Sequence, residues 1–167
     1  MEDRKGAGDP CDLNAQDCLP ALALNNANAK ETSALSEGGL ASLIGMAFYA
    51  RGMDCGGTAL LIAFDQGTPY ENENFAWFKA LGRPFVYIDR VIVAEAARGL
   101  GIARLLYEDL FGAAMRAGHS RVVCEVNIEP PNPGSEAFHA AMGFSGVGEA
   151  TIHNGAKRVR YFEKLLG

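Results

Sequence analysis

The sequence predicts a mixed α/β fold, an α+β arrangement of one mixed sheet with helices on its faces. Three observations carry that expectation. The run "FVYIDRVIV", residues 85–93, is almost entirely β-branched or aromatic, as in a central strand buried on both faces. Directly after it the apolar period becomes helical, with Ile102, Leu106, Leu110, Ala113, Ala114 and Ala117 on one stripe. Then "RVVCEVNI", residues 121–128, alternates with a period of two.

The remaining elements follow in chain order. Residues 12–28 hold a weak helical pattern interrupted by Pro20. Residues 33–47 set Leu40, Leu43, Ile44 and Ala47 at helical spacing behind a Ser/Thr-rich start suited to capping. "FYARGM" and "TALLIAF" flank "DCGG", which reads as a hairpin. The next stretch, "DQGTPYENENFAWFKALGRP", reads as a long polar and aromatic loop, and loops of that length are often functional. Gly118 sits at the C′ position of the helix that starts near Ile102. The alternating strand puts Val122, Cys124, Val126 and Ile128 on one face and Arg121, Val123, Glu125 and Asn127 on the other. "EPPNPGSEAFHAAMGF" predicts a helix with Asn132 as N-cap and Pro133 first, and with Phe138 and Met142 four apart. "GVGEATIHNGAKRVRYFEKLL" closes the chain as a hairpin turning at Asn154-Gly155.

Composition narrows the function classes. At 167 residues, with 49% hydrophobic and 21% charged, the chain reads as a flexible tail over 1–10 and one domain over 11–167. A net charge of −5 argues against nucleic acid as a partner and suits a cationic or neutral acceptor. No apolar run approaches the ~18 residues that cross a bilayer, so no membrane partner is expected. The charged start "MEDRKGAGDP" has no apolar stretch behind it, unlike a signal peptide. Cys11, Cys18, Cys55 and Cys124 form no CxxC pair and have no histidine at ligand spacing. Reduced thiols in a cytoplasmic protein, and no metal, are the expectation.

The segment "AARGLGIARLLYEDL", 96–110, carries the chemistry. Glycine lets backbone amides approach a ligand, and a helix N-terminus favours an anion. A dinucleotide fingerprint needs a third glycine where Arg104 stands, and a P-loop needs Gly-Lys-Ser/Thr, which is absent. What remains is a turn whose amides, from Gly99 to Arg104, can converge on a pyrophosphate. Each charge-assisted bond there contributes about 1.5–3 kcal/mol. A glycine-containing helix start with no ligand is the alternative.

"RVIVAEAARGLGIARLLYEDL", then "VVCEVNIEPPN", then "FHAAMGF" closely resembles the GNAT superfamily of acyl-CoA-dependent N-acyltransferases. The family pattern falls on Arg98, Gly101 and Ala103, behind a strand ending in Val91 and Val93 and ahead of a helix ending in Gly143-Phe144. The resemblance covers about residues 85–145. It implies acetyl-CoA as acyl donor, with its pantetheine arm on main-chain groups of Val91, Ile92 and Val93. The pyrophosphate would then lie on Arg98, Gly99, Leu100, Gly101, Ile102, Ala103 and Arg104, and Asn132 joins the cofactor set. Glu125 matches a position that serves as general base in some members; a solvated carboxylate is the alternative. His139 stands where many members carry a tyrosine that protonates the departing sulfur. Histidine can donate near neutral pH, or it can simply hydrogen-bond coenzyme A or the helix end.

Tyr87 and Asp89 share a strand face and are candidates for substrate binding and rivals for the base, although Asp89 beside Arg90 also reads as a local ion pair. The acceptor wall would come from the aromatic loop, with Asn74 and Trp77 foremost beside Tyr70, Phe75 and Phe78; the same residues could instead anchor the loop to a core. The implied reaction is direct attack by a primary amine of a small molecule or peptide. A coenzyme A-binding module without catalysis, and a nicotinamide- or flavin-nucleotide-binding protein, are the rival readings. Family members often pair as dimers, and the sequence fixes no interface.

Overall fold

The computed structural model describes residues 8–167, so most of the expected tail over 1–10 lies outside the described residues. The strands are β1 (Cys11–Asp12), β2 (Tyr49–Met53), β3 (Ala59–Asp65), β4 (Val86–Val93), β5 (Arg121–Glu129), β6 (Ser145–Ile152) and β7 (Lys157–Leu165). The helices are α1 (Leu19–Ala27), α2 (Glu37–Met46), α3 (Glu73–Ala80), α4 (Ile102–Arg116) and α5 (Pro133–Ala141). The strands form a seven-stranded mixed sheet in the order β1-β2-β3-β4-β5-β7-β6, and the β4–β5 pair is parallel. The fold is therefore the mixed α/β class that the sequence predicts.

Two compact units divide the chain. The first runs to Phe64 and resumes over Asp89–Ala113; the second holds Asp65–Ile88 and Ala114–Gly167.

In the first unit, β1, β2 and β3 are antiparallel, and β3 is buried on both faces from Ala59 to Phe64. Pro20 corrects the sequence reading. It does not interrupt a helix but opens α1, where its missing N–H removes nothing that the first turn needs. Ser36 caps α2 by accepting from the Gly39 amide at 3.0 Å. The Tyr49 hydroxyl donates to Asp109 Oδ2 at 2.8 Å and Arg51 Nη1 donates to the same oxygen at 2.7 Å, which ties β2 to α4. Arg90 on β4 donates from Nη1 to Asn25 Oδ1 of α1 at 2.7 Å, and both residues are buried.

In the second unit the expected long loop proves to contain α3. The Asn72 side chain accepts from the amides of Asn74 and Phe75 and so starts the helix, although the surrounding polar residues hide its apolar stripe. That stripe is Phe75 and Phe78, which pack edge-on or tilted against Phe85 and Tyr87. Burying one such phenylalanine stabilises by about 1.5–3 kcal/mol. α5 begins as expected, with Asn132 accepting from the Ser135 amide at 3.2 Å and Pro133 in its first turn. The last turn spans four residues, with the Ala156 amide donating to the His153 carbonyl and Asn154-Gly155 at its centre.

Burial refines two strand expectations. β4 is buried on both faces only over Val86–Ile88 and alternates from Asp89 to Val93. β5 is buried on both faces from Arg121 to Cys124, so Arg121 and Val123 are as enclosed as Val122.

Candidate active site

In the first unit, β4 leads through a short 3-10 turn, Glu95–Ala97, into the glycine loop and α4. Gly99 and Gly101 sit at φ +79° and +78°, the left-handed region in which a side chain is strained. Nothing lies within 4 Å of where a Cβ would stand on either glycine, so open space faces the loop. Arg98, Gly99, Leu100, Gly101 and Arg104 are exposed, whereas Ile102 turns inward and Ala103 is half-buried. The first intrahelical acceptor is the Gly101 carbonyl, bonded by the Leu105 amide at 3.1 Å. The amides just before Leu105 thus form the donor-rich mouth of a 15-residue helix. Arg98 is held by two bonds, Nε to the Val93 carbonyl at 3.2 Å and Nη2 to Asn28 Oδ1 at 3.3 Å. Arg104 lies 3.7 Å from Glu108 one helical turn on.

Upstream, Val91 and Val93 are half-exposed and Ile92 is buried. In the second unit the parallel β4–β5 ladder includes Val86↔Val122 and Tyr87↔Val123. Asp89 and Arg90 form a buried pair at 2.7 Å, their side chains 4% and 6% exposed. An ion pair is thus what Asp89 makes here.

The second unit holds the acid–base candidates. Glu125 Oε1 accepts from the Tyr87 hydroxyl at 3.0 Å, and Tyr87 is wholly buried. Glu125 pairs directly across β5 and β7 with Tyr161, whose hydroxyl donates to Asn74 Oδ1 at 2.9 Å. Burial first, and then the Glu125 and Glu73 charges, push the Tyr161 hydroxyl up to about 12, so it keeps its proton. The Trp77 indole stacks on Tyr161 with centroids 4.1 Å apart, over Gly148, where a Cβ would come within 2.6 Å of the indole. Asn74, Phe75, Trp77 and Phe78 therefore anchor α3 to the sheet through a continuous ring cluster.

His139 lies on the other side of that sheet. Its ring stacks on Phe162, and Phe162 and Tyr161 are neighbours in one strand, so they face oppositely. Glu125 and His139 are therefore not brought together on one face. His139 is 5% exposed, with Nδ1 2.7 Å from the Ser135 carbonyl oxygen. A carbonyl can only accept, so Nδ1 carries the proton and the neutral ring keeps its lone pair on Nε2. To donate from Nε2 the ring would have to become an imidazolium. Burial opposes that and lowers its pKa from the ordinary 6.5, against the smaller opposite pull of the Ser135 carbonyl. As placed, His139 is a neutral acceptor.

Below about pH 6.5 an unfolded chain protonates this histidine while the folded one resists, so the unfolded state binds more protons. The stabilising contribution is complete above that pH and is lost as pH falls through the lowered value. Urea unfolding between pH 7.5 and 5 should show this loss, and His139→Gln should flatten that part of the profile. An unchanged profile would show that His139 does not contribute to it.

Sequence reasoning missed Tyr161, Asn25 and the Ser135 carbonyl. The first two act across strands or elements, and no local signal announces them. The third lies four residues before His139 and follows from the helix once α5 is placed. Among the described residues, no group of three or more His, Cys, Asp or Glu could hold a metal ion, and no helix is long and apolar enough to cross a membrane.

The family model of the acetyltransferase (GNAT) family matches residues 39–144. No curated protein matches the chain. Solved structures share its fold at low identity. Naa20 from Chaetomium thermophilum, in complex with a bisubstrate analogue, is 20% identical with a TM-score of 0.70, covering 95% of this chain and 87% of its own. The NatB acetyltransferase complex bound to CoA is 12% identical with a TM-score of 0.70, over 96% and 100%. The ribosomal-protein-S18-alanine N-acetyltransferase from Escherichia coli is 14% identical with a TM-score of 0.66, over 94% and 92%.

Proposed function

Because the chain belongs to the GNAT acetyltransferase family, we propose that it is an N-acetyltransferase taking its acetyl group from acetyl-CoA to a primary amine of a small molecule or peptide. The observation that carries the donor assignment is the loop at the mouth of α4, with Gly99 and Gly101 both left-handed and facing open space. That loop and its amides suit a pyrophosphate, and Arg98, Leu100, Ile102, Ala103 and Arg104 complete it. Main-chain groups of Val91, Ile92 and Val93 serve the pantetheine arm, and Asn132, the cap of α5, joins the cofactor set. The likeness to a complex solved with CoA supports the same donor.

Acetyl-CoA supplies an activated thioester. Glu125 takes the proton from the amine as it attacks directly, with no acyl-enzyme. A main-chain amide near Val93 steadies the developing oxyanion. A thiol with an ordinary pKa of about 8.5 leaves with little help. His139 therefore acts as a neutral hydrogen-bond acceptor and not as the proton donor that a tyrosine provides elsewhere in the family. We assign Asp89 to its ion pair with Arg90, and Asn74 and Trp77 to the anchoring of α3.

The first test is a thermal melt with acetyl-CoA, CoA and NADH in parallel. At a hundred times its dissociation constant a ligand adds about 2.7 kcal/mol, roughly 5–10 °C for a chain of this size. Both CoA species should raise Tm and NADH should not. No rise with either CoA species at millimolar concentration would remove the donor assignment. A rise without CoA release across a broad amine panel would favour a binding module over an enzyme.

A further inference from the structure

Glu125 lies between two buried phenols that are used differently. Tyr87, on β4, donates its hydroxyl hydrogen to Glu125 Oε1 at 3.0 Å. Tyr161, directly across the β5–β7 ladder, gives its only hydroxyl hydrogen to Asn74 Oδ1 at 2.9 Å. Asn74 is itself buried, one residue into α3, and the Trp77 stack and the Phe78 ring fix the Tyr161 ring from the same helix. We propose that Tyr87 is a positioning residue that orients the Glu125 carboxylate and sets its basicity, while Asn74 on α3 keeps the second phenol, Tyr161, from donating to it. The inference rests on Glu125 being the proton acceptor of the reaction proposed above.

The arrangement has a chemical reason. A carboxylate that accepts a hydrogen bond is held in its charged form and becomes a weaker base, and a second donor would weaken it further. A base for an ammonium-derived proton has to stay ionised near pH 7 yet keep some proton affinity. The Tyr87 hydroxyl fixes the rotamer through Oε1, and the bond of Tyr161 to Asn74 keeps that phenol from adding a further donor. Tyr87 from β4 and Tyr161 from β7 face Glu125, while the buried Cys124 thiol, on the opposite face of β5, is pushed up by desolvation and then by the Glu125 charge. Glu73 on α3 reaches the same cluster through its charge on Tyr161.

The test reads Glu125 directly. With glutamate labelled at the carboxyl carbon, its NMR signal is assigned by its loss in Glu125→Gln, and its pKa is measured in the wild type, Tyr87→Phe and Tyr161→Phe. Tyr87→Phe should raise the Glu125 pKa by about one unit. Tyr161→Phe, whose hydroxyl is committed to Asn74, should leave it in place. In acetyl transfer, Tyr87→Phe should move the acid limb of kcat/KM up by the same amount and lower kcat more than it changes KM. Site-specific 3-fluorotyrosine at position 87 keeps the ring and its packing and, as a stronger donor, should shift Glu125 the opposite way, so the test survives a poorly folded Tyr87→Phe.

An unmoved Glu125 pKa in both Tyr87 variants overturns the proposal whatever the activity. A moved pKa with an unmoved acid limb overturns the catalytic link. A moved pKa in a protein that acetylates no amine upholds the hold of Tyr87 on Glu125 and counts against the proposed reaction alone.

Discussion

Glu125→Gln is expected to lower kcat for acetyl transfer by about 10²–10⁴ while leaving KM for acetyl-CoA within about threefold. A lysine-like amine with an ordinary pKa near 10.4 is neutral only about once in several thousand molecules at pH 7, a handicap of roughly 4–5 kcal/mol. Something must take that proton. Among the acid–base candidates, Glu125 has the geometry for the task, with one carboxylate oxygen fixed by the Tyr87 hydroxyl. Glutamine keeps the shape and can still accept from Tyr87 through its carbonyl oxygen, but it has no proton affinity to offer. The deficit should shrink as pH rises toward 10, because solvent then delivers the neutral amine unaided. Steady-state CoA release from pH 6 to 10 checks both points. A loss of less than about threefold at pH 7 would take Glu125 out of the role of base.

Much of this site is local and therefore legible in the sequence. The glycine loop, the start of α4 and the Asn132–Pro133 entry to α5 each depend on a few consecutive residues whose backbone preferences agree. α3 was masked because its start, Asn72 accepting from the two following amides, sits in a run of Asn and Glu that reads as a loop; only Phe75 and Phe78, three apart, betray the helix. Pro20 is ambiguous for a similar reason: the same residue breaks a helix interior and opens a first turn, and position along the helix decides which. The partner of Glu125 across the sheet could not be read at all. Alternation in "RVRYFEKLL" puts Tyr161 on one face, but which β5 residue it meets is set by register between strands more than thirty residues apart. His139 was legible as a position, whereas its role was not. The Ser135 carbonyl fixes the tautomer, and the rings of Phe144 and Phe162 supply the burial.

The second large effect is on stability. Arg90→Met should cost about 3–5 kcal/mol, the range for removing one partner of a buried ion pair. Methionine matches the length of the stem but leaves the Asp89 carboxylate, 4% exposed, without the guanidinium 2.7 Å away. It also takes one donor from Asn25 Oδ1, leaving the longer bond from the Thr32 hydroxyl at 3.4 Å. Asn25 in turn holds the segment after α1, through Nδ2 to the Ser33 carbonyl at 2.8 Å, so the loss should spread from β4 into that turn. Denaturant unfolding measures the total, and amide exchange at Ser33–Leu35 should rise more than exchange in β2. The control is the double variant Asp89→Leu/Arg90→Met. Removing both charges removes the cost of burying either alone, and a well-packed apolar pair should recover most of the loss. If Arg90→Met costs under about 1 kcal/mol, the pair behaves like a solvated surface bridge, and Asp89 returns as a rival to Glu125 for the amine's proton.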